Sequence, residues 1–266
     1  MPVANESPIP TAQTGTRGER WALRLSAALL VAGFVALTVA AAFHPNGIDN
    51  NNHPAVFAQY AQSASWTAVH LALFIATAVI IAGLLVLFYA LDLADGVPRL
   101  AARIGIISAG VGLALSAMRY AVDGIVLKRA VDAWVSAPDA EKAARFASAE
   151  IARWLEEAIT SYQGFVLGFT LILLAALIVW TARAPRPVGY LLALGGAGYL
   201  AAAWIVGAAG FAPEGANPTY LAQFSPLIAG IWLLISAWRM PQSAEVSPES
   251  DSPVKRSDPP ALERPR

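Results

Sequence analysis

Arg119 and Asp123 stand four residues apart inside a long apolar stretch. On a helix that spacing stacks them one turn apart, within ion-pairing reach. An ionisable side chain inside such a run is costly and is by default a functional candidate. A pair of this kind can hold an anion on the guanidinium, keep a carboxylate ionised, or help move a proton. Gly105, Ser108, Gly112, Ser116, Arg119 and Asp123 recur at spacings of 3, 4, 4, 3 and 4, which places them on one helical face. A face of small and polar residues is expected to point into a bundle. The structural alternative is local pairing, with Arg119 snorkelling to lipid headgroups.

A second stripe, Glu157, Ser161, Gly164 and Gly168, has the same character and is expected to face the first, with Tyr162 and Gln163 beside it. Gly195, Gly198 and Ala202 form a third small face. Such stripes are packing seams by preference. His70 lies about one turn inside another apolar run. The candidate ligand-binding set is therefore Arg119, Asp123, His70, Glu157, Ser116 and Tyr162. In it Arg119 holds an anion or keeps Asp123 ionised, His70 relays protons, and Glu157 faces them.

Neutral imidazole ligates zinc, copper and haem iron, so His44, His53 and His70 raise a metal or haem reading. Their spacings of 9 and 17 match no compact ligand motif, and there is no H-E-x-x-H. They are weak metal candidates, and the sequence implies no metal site and no cofactor. Asp49-Asn50-Asn51-Asn52 offers oxygen ligands but lacks the calcium-loop pattern, and reads as a solvated turn. Phosphate-binding loop, nucleophile-elbow and dinucleotide fingerprints are absent. Cysteine is absent, which removes disulfides, thiolate nucleophiles and Cys-ligated clusters. With no recognisable nucleophile–base pair, no catalytic residues are assigned and the balance leans away from an enzyme.

The elements that must position these residues are long apolar helices. The chain is 57% hydrophobic and 14% charged, where a soluble domain carries about 25% charge. Six runs are each long enough to cross a bilayer core: Trp21–Phe43, Trp66–Leu91, Arg103–Leu127, Ala158–Ala182, Val188–Phe211 and Tyr220–Trp238. Their apolar residues do not alternate, which argues against barrel strands. The predicted fold is an all-α polytopic membrane bundle of six transmembrane helices spanning 17–240. Residues 1–16 and 241–266 are expected to be disordered tails because they are rich in Pro and polar residues. The first run is too long for an ordinary signal-peptide core. An extra amphipathic helix is predicted in the third loop. Pro138 would start it, and Phe146, Ile151, Trp154 and Leu155 would form its apolar side.

Lys and Arg orient the bundle. Arg17, Arg20, Arg24, Arg99, Arg103, Arg183, Arg186 and Arg239 fall on one side, while loops 44–65 and 212–219 carry no cation. Both termini are therefore expected in the cytoplasm. The third loop, with Lys128, Arg129, Lys142, Arg145 and Arg153, nearly balances its cations with acids. The two cation-free loops share the patterns F-x-P-x-G and P-x-x-x-A-Q-aromatic, beginning at Phe43 and Phe211 and at Pro54 and Pro218. A duplicated hairpin would explain this, as would the general taste of membrane-exit loops for Pro, Gly and aromatics.

In composition the chain resembles small Ala-rich bacterial inner-membrane proteins, and no motif carries a family's functional residues onto it. The leading expectation is a small transporter or sensor with an outward-facing polar pocket for a small molecule, lipid or proton. The alternatives are an accessory subunit that binds partner helices or a second copy, and a haem or metal redox protein. Membrane lipids are the expected partners. Nucleic acid is not, because the formal net charge is zero.

Overall fold

The computed structural model describes residues 17–239 apart from 46, 92 and 94. The expected disordered tails lie outside the described residues. Among the described residues there are helices and no strand, because a chain inside lipid must satisfy its own backbone polar groups and a helix does so within one segment. The helices are α1 (Arg17–Ala42), α2 (His53–Gln62), α3 (Trp66–Ala90), α4 (Gly96–Ala121), α5 (Lys128–Ser136), α6 (Asp139–Thr181), α7 (Arg186–Ala209) and α8 (Ala216–Arg239). A π-helical stretch, Val122–Leu127, joins α4 to α5 without a break. Six helices are long and apolar enough to cross a membrane, and the protein is a polytopic bundle.

The six spans pack as a closed ring. α1 lies against α3, α3 against α4, α4 against α6, α6 against α7 and α7 against α8, and α8 returns to α1. Both described chain ends lie at one end of the ring, here the near end. The far end carries α2, α5 and the start of α6. At the near end Arg24 donates to the Ala237 carbonyl at 3.1 Å and stacks on Trp238, and Arg183 approaches Glu19 at 3.4 Å. The core there is Leu30, Leu84, Leu87, Leu174, Leu192 and Leu233 with their neighbours.

Glycines set how closely the ring closes. A Cβ on Gly168 would lie 2.9 Å from the Gly196 carbonyl, and one on Gly198 would lie 2.7 Å from the Ala222 amide. These contacts make the α6–α7 and α7–α8 seams. The stripe of Ser161, Gly164 and Gly168 thus faces α7, where Ser161 donates to the Ala203 carbonyl at 2.8 Å, rather than α4 as expected. The stripe Gly105, Ser108, Gly112 does point inward: Gly105 meets Phe88, Gly112 meets Leu167, and Ser108 donates to the Val166 carbonyl.

The amphipathic helix predicted in the third loop is present as the first half of α6, continuous with the span that follows it. A helix of 43 residues is about 65 Å long at 1.5 Å per residue, roughly twice a bilayer core. Its first half therefore projects beyond the far end. There it packs on α2 and α5 through Val56, Phe57, Tyr60, Leu127, Val131 and Ala149. Phe146 joins this cluster, whereas Ile151, Trp154 and Leu155 are exposed. Pro138 is the residue before the first turn, with Asp139 opening the helix. The two resembling loops fold differently. Pro54–Tyr60 lies in the short helix α2, while Pro218–Phe224 opens the spanning helix α8.

Candidate functional site

A cavity of about 490 Å³ lies inside the ring, and all six spans contribute to its wall. Its polar side chains gather toward the far end: His44, His70, Arg119, Asp123, Thr160 and Gln163. Below them the wall is mainly apolar, down to Leu84 and Leu171, with Thr77 and Tyr199 among its residues. His70 and Leu84 both belong to α3 and both line the cavity. At 1.5 Å per residue they are on the order of 20 Å apart, so the cavity is long as well as amphipathic.

The π-helical stretch sets the polar end. Its wider turn breaks the register that would stack Asp123 under Arg119, and no ion pair joins these two residues. Asp123 instead meets His70, whose Nε2 comes within 2.8 Å of Asp123 Oδ2. Both residues are buried, at 6% and 1% exposure. Carbonyls along this stretch are taken up by α3: the Trp66 indole donates to the Asp123 carbonyl at 2.9 Å, and Thr67 donates to the Gly124 carbonyl at 2.7 Å. Gly124 permits the approach, since a Cβ there would sit 2.6 Å from His70 Cβ.

His70 is held from its other edge as well. Its Nδ1 lies 2.7 Å from the Trp66 carbonyl, which can only accept, so this nitrogen carries the proton. Nε2 and Oδ2 are close but not aligned, and His70 Nε2 and Asp123 Oδ1 have no hydrogen-bond partner. His44 stands beside them, its ring centroid 5.3 Å from that of His70, and its Nδ1 donates to the Pro45 carbonyl at 2.9 Å. Burial lowers the His44 pKa. One nitrogen from each ring and one Asp123 oxygen lie within 4.8 Å of one another, so these three could hold a metal ion.

Arg119 is supported from a different side. Its Nη1 reaches the Gln163 Oε1 at 3.5 Å, and the guanidinium lies 5.2 Å from the centre of the Tyr120 ring. Gln163 is oriented by Ser116, which accepts from Gln163 Nε2 at 2.6 Å and donates to the Gly112 carbonyl at 2.7 Å. Ser116 is thus a positioning residue behind the wall. Among the described residues no carboxylate lies within ion-pair distance of Arg119, and its Nε has no partner.

Of the six sequence candidates, Arg119, Asp123 and His70 line one cavity and Ser116 backs it. Glu157 and Tyr162 do not line it. Tyr162 is 69% exposed on the outer face of α6. Glu157 lies beside Arg153 at 3.4 Å, in a cluster where Arg153 Nη1 also donates to Glu156 Oε2 at 2.8 Å. Arg153 and Glu156 are buried, and the guanidinium stacks 4.3 Å over Phe211. Nearby, burial pushes the Tyr60 phenol well above its usual range. His53 is apart from the other histidines, stacked on Phe57 and 3.2 Å from Glu150. In the loop before α2, Asn52 caps that helix and Asn51 donates to the Ala209 carbonyl, so these side chains bind protein groups. The sequence marks His44 only as a weak metal candidate, and Gln163 only as a neighbour of the second stripe. The one signal for Gln163 is its place two residues after Ser161, beside Tyr162.

A family model described as a domain of unknown function, DUF4386, matches residues 23–237, and the chain belongs to that family. No curated protein and no solved structure matches it.

Proposed function

We propose that this member of the DUF4386 family is a small carrier or sensor whose cavity binds an amphiphilic anion. Both chain ends lie in the cytoplasm, and the polar end of the cavity faces the opposite side. The observation that carries this is Arg119: a guanidinium on the cavity wall with one amide oxygen at 3.5 Å and no carboxylate. An unmatched cation within a membrane bundle is costly, and an anion relieves that cost. A carboxylate or phosphate group suits the planar donor fork of Arg. The apolar wall below it suits an alkyl or acyl tail, lying along the spans as lipid chains do. The orientation rests on Arg20, Arg24, Arg99, Arg103, Arg183, Arg186 and Arg239 at the near end.

The accessory-subunit reading has less support. The small-residue faces that would bind partner helices are used inside the ring, as Gly168 on Gly196 and Gly198 on Ala222. The test of the anion reading uses full-length protein in nanodiscs of zwitterionic lipid. Dodecanoate and dodecyl phosphate are compared with dodecyltrimethylammonium below their micellar concentrations. A ligand that binds the folded state raises the unfolding temperature. Both anions should raise it and the cation should not, and Arg119→Gln should abolish the response. Equal responses to anion and cation, or a full response in Arg119→Gln, overturn the reading.

A further inference from the structure

We propose that His44, His70 and Asp123 form a binding site for a divalent transition-metal cation of the Zn²⁺ class. The three residues are far apart in sequence and come from the end of α1, from α3 and from the π-helical stretch. Their ligand atoms converge within 4.8 Å, on the wall of the cavity. Two imidazoles and one carboxylate are a ligand set that zinc takes in sites with an open fourth position. The site differs from the anion reading in residues and in chemistry, and does not rest on it.

The protonation pattern is that of metal ligands. A ligating histidine almost always donates its second ring nitrogen to a carbonyl or carboxylate, which fixes the tautomer and leaves a lone pair for the metal. His70 does this through Nδ1 to the Trp66 carbonyl, and His44 through Nδ1 to the Pro45 carbonyl. In the neutral ring the free lone pair is then on Nε2. Asp123 Oδ1 is buried and has no hydrogen-bond partner, while Asp123 Oδ2 stands 2.8 Å from His70 Nε2. A buried polar atom left unmatched is rare and calls for a reason.

The supports behind the ligands are rigid where rigidity counts. Asp123 is held by Trp66 at its carbonyl, and Gly124 lets the π-helical stretch sit against His70. His44 follows the end of α1 and is half-buried, its ring packed beside those of Trp66 and His70. Ligands bound at 2.0–2.2 Å stand about 3.3–3.5 Å apart in a tetrahedron, so closure from 4.8 Å needs a shift of about 1.4 Å. The rival arrangement is a His70–Asp123 pair that holds one proton between them and binds no metal.

The experiment uses full-length protein, free of any affinity tag, stripped with a chelator and titrated with Co²⁺ as a visible probe for Zn²⁺. The expected result is one Co²⁺ per chain, with the intense visible bands of a four-coordinate ion, displaced by Zn²⁺. His44→Ala should weaken binding at least about a hundredfold while the unfolding temperature of the metal-free protein holds, because His44 is half-buried in a loop. Asp123→Asn should do the same to binding, and His53→Ala should leave it unchanged. No stoichiometric Co²⁺ binding by the wild type overturns the proposal in favour of the shared-proton pair. So does binding that survives both His44→Ala and Asp123→Asn, or binding that is lost with His53→Ala.

Discussion

Two arginines at the far end of the ring, Arg153 buried and Arg119 partly buried, are treated in opposite ways. Arg153 is surrounded: Glu156 at 2.8 Å, Glu157 at 3.4 Å, the Asn50 carbonyl at 3.4 Å and the Phe211 ring beneath it. It ties α6 to the loop before α2 and to the end of α7. Arg119 faces a cavity with one amide and one ring for company. Breaking a buried ion pair is costly because a charge is left stranded. An arginine whose partners are all protein groups is therefore a fastener. An arginine on a cavity wall with one amide and no carboxylate leaves room for a partner from outside, and this is the basis of the anion reading proposed above. Both residues sit in helices of the same bundle, so the difference lies in their neighbours.

The two arginines should differ most when each is removed, with the larger effect at Arg153. Arg153→Met strands Glu156 and Glu157, and should cost about 3–5 kcal/mol in denaturant unfolding followed in micelles. Unfolding like the wild type would remove the fastener role. Gly124→Ala comes next. Its Cβ would meet His70 Cβ at 2.6 Å, an overpacking of about 1–3 kcal/mol read in the same assay. It should also disturb both His70 and Asp123, unlike any change at Arg153. Arg119→Met should cost less than about 1.5 kcal/mol, because no carboxylate loses its cation. It should nevertheless erase the response to alkyl anions. A stability loss as large as that of Arg153→Met would dissolve the distinction between the two arginines. Ser116→Ala should cost about 1 kcal/mol and weaken the anion response partly, since it only orients Gln163. Tyr162→Ala, on the exposed face, should change stability by no more than about 0.5 kcal/mol and leave the anion response intact.

Particular residues show where sequence reasoning reached and where it stopped. Arg119, Asp123 and His70 stand out because ionisable groups are rare in apolar runs, and all three line the cavity. Their pairing did not follow from spacing. Four residues imply an Arg119–Asp123 pair only on a regular α-helix, and the π-helical stretch that begins at Val122 undoes that register. Nothing in the residues Val122–Leu127 marks such a stretch. Glu157 shares a stripe with Ser161 and Gly164, yet its partner Arg153 lies one turn earlier, in the amphipathic helix predicted as separate from that span. The stripe of Ser161, Gly164 and Gly168 is equally fit to face any close neighbour, and only packing assigns it to α7. His44, His70 and Asp123 are separated by spacings that match no ligand motif, so their convergence is invisible in one dimension.

The sequence by itself determined that the chain is helical and crosses a membrane six times. Those properties depend on local runs of about 20 apolar residues and on the cost of unsatisfied backbone in lipid. It also determined which few side chains are out of place there. The tertiary structure alone decided that the spans close into a ring around a cavity, that Arg153 is matched while Arg119 is not, and that two histidines meet Asp123. Each of these depends on how far a helix is rotated about its axis. That rotation is set by glycine contacts and one wide helical turn, which act between helices and leave no periodic trace along the chain.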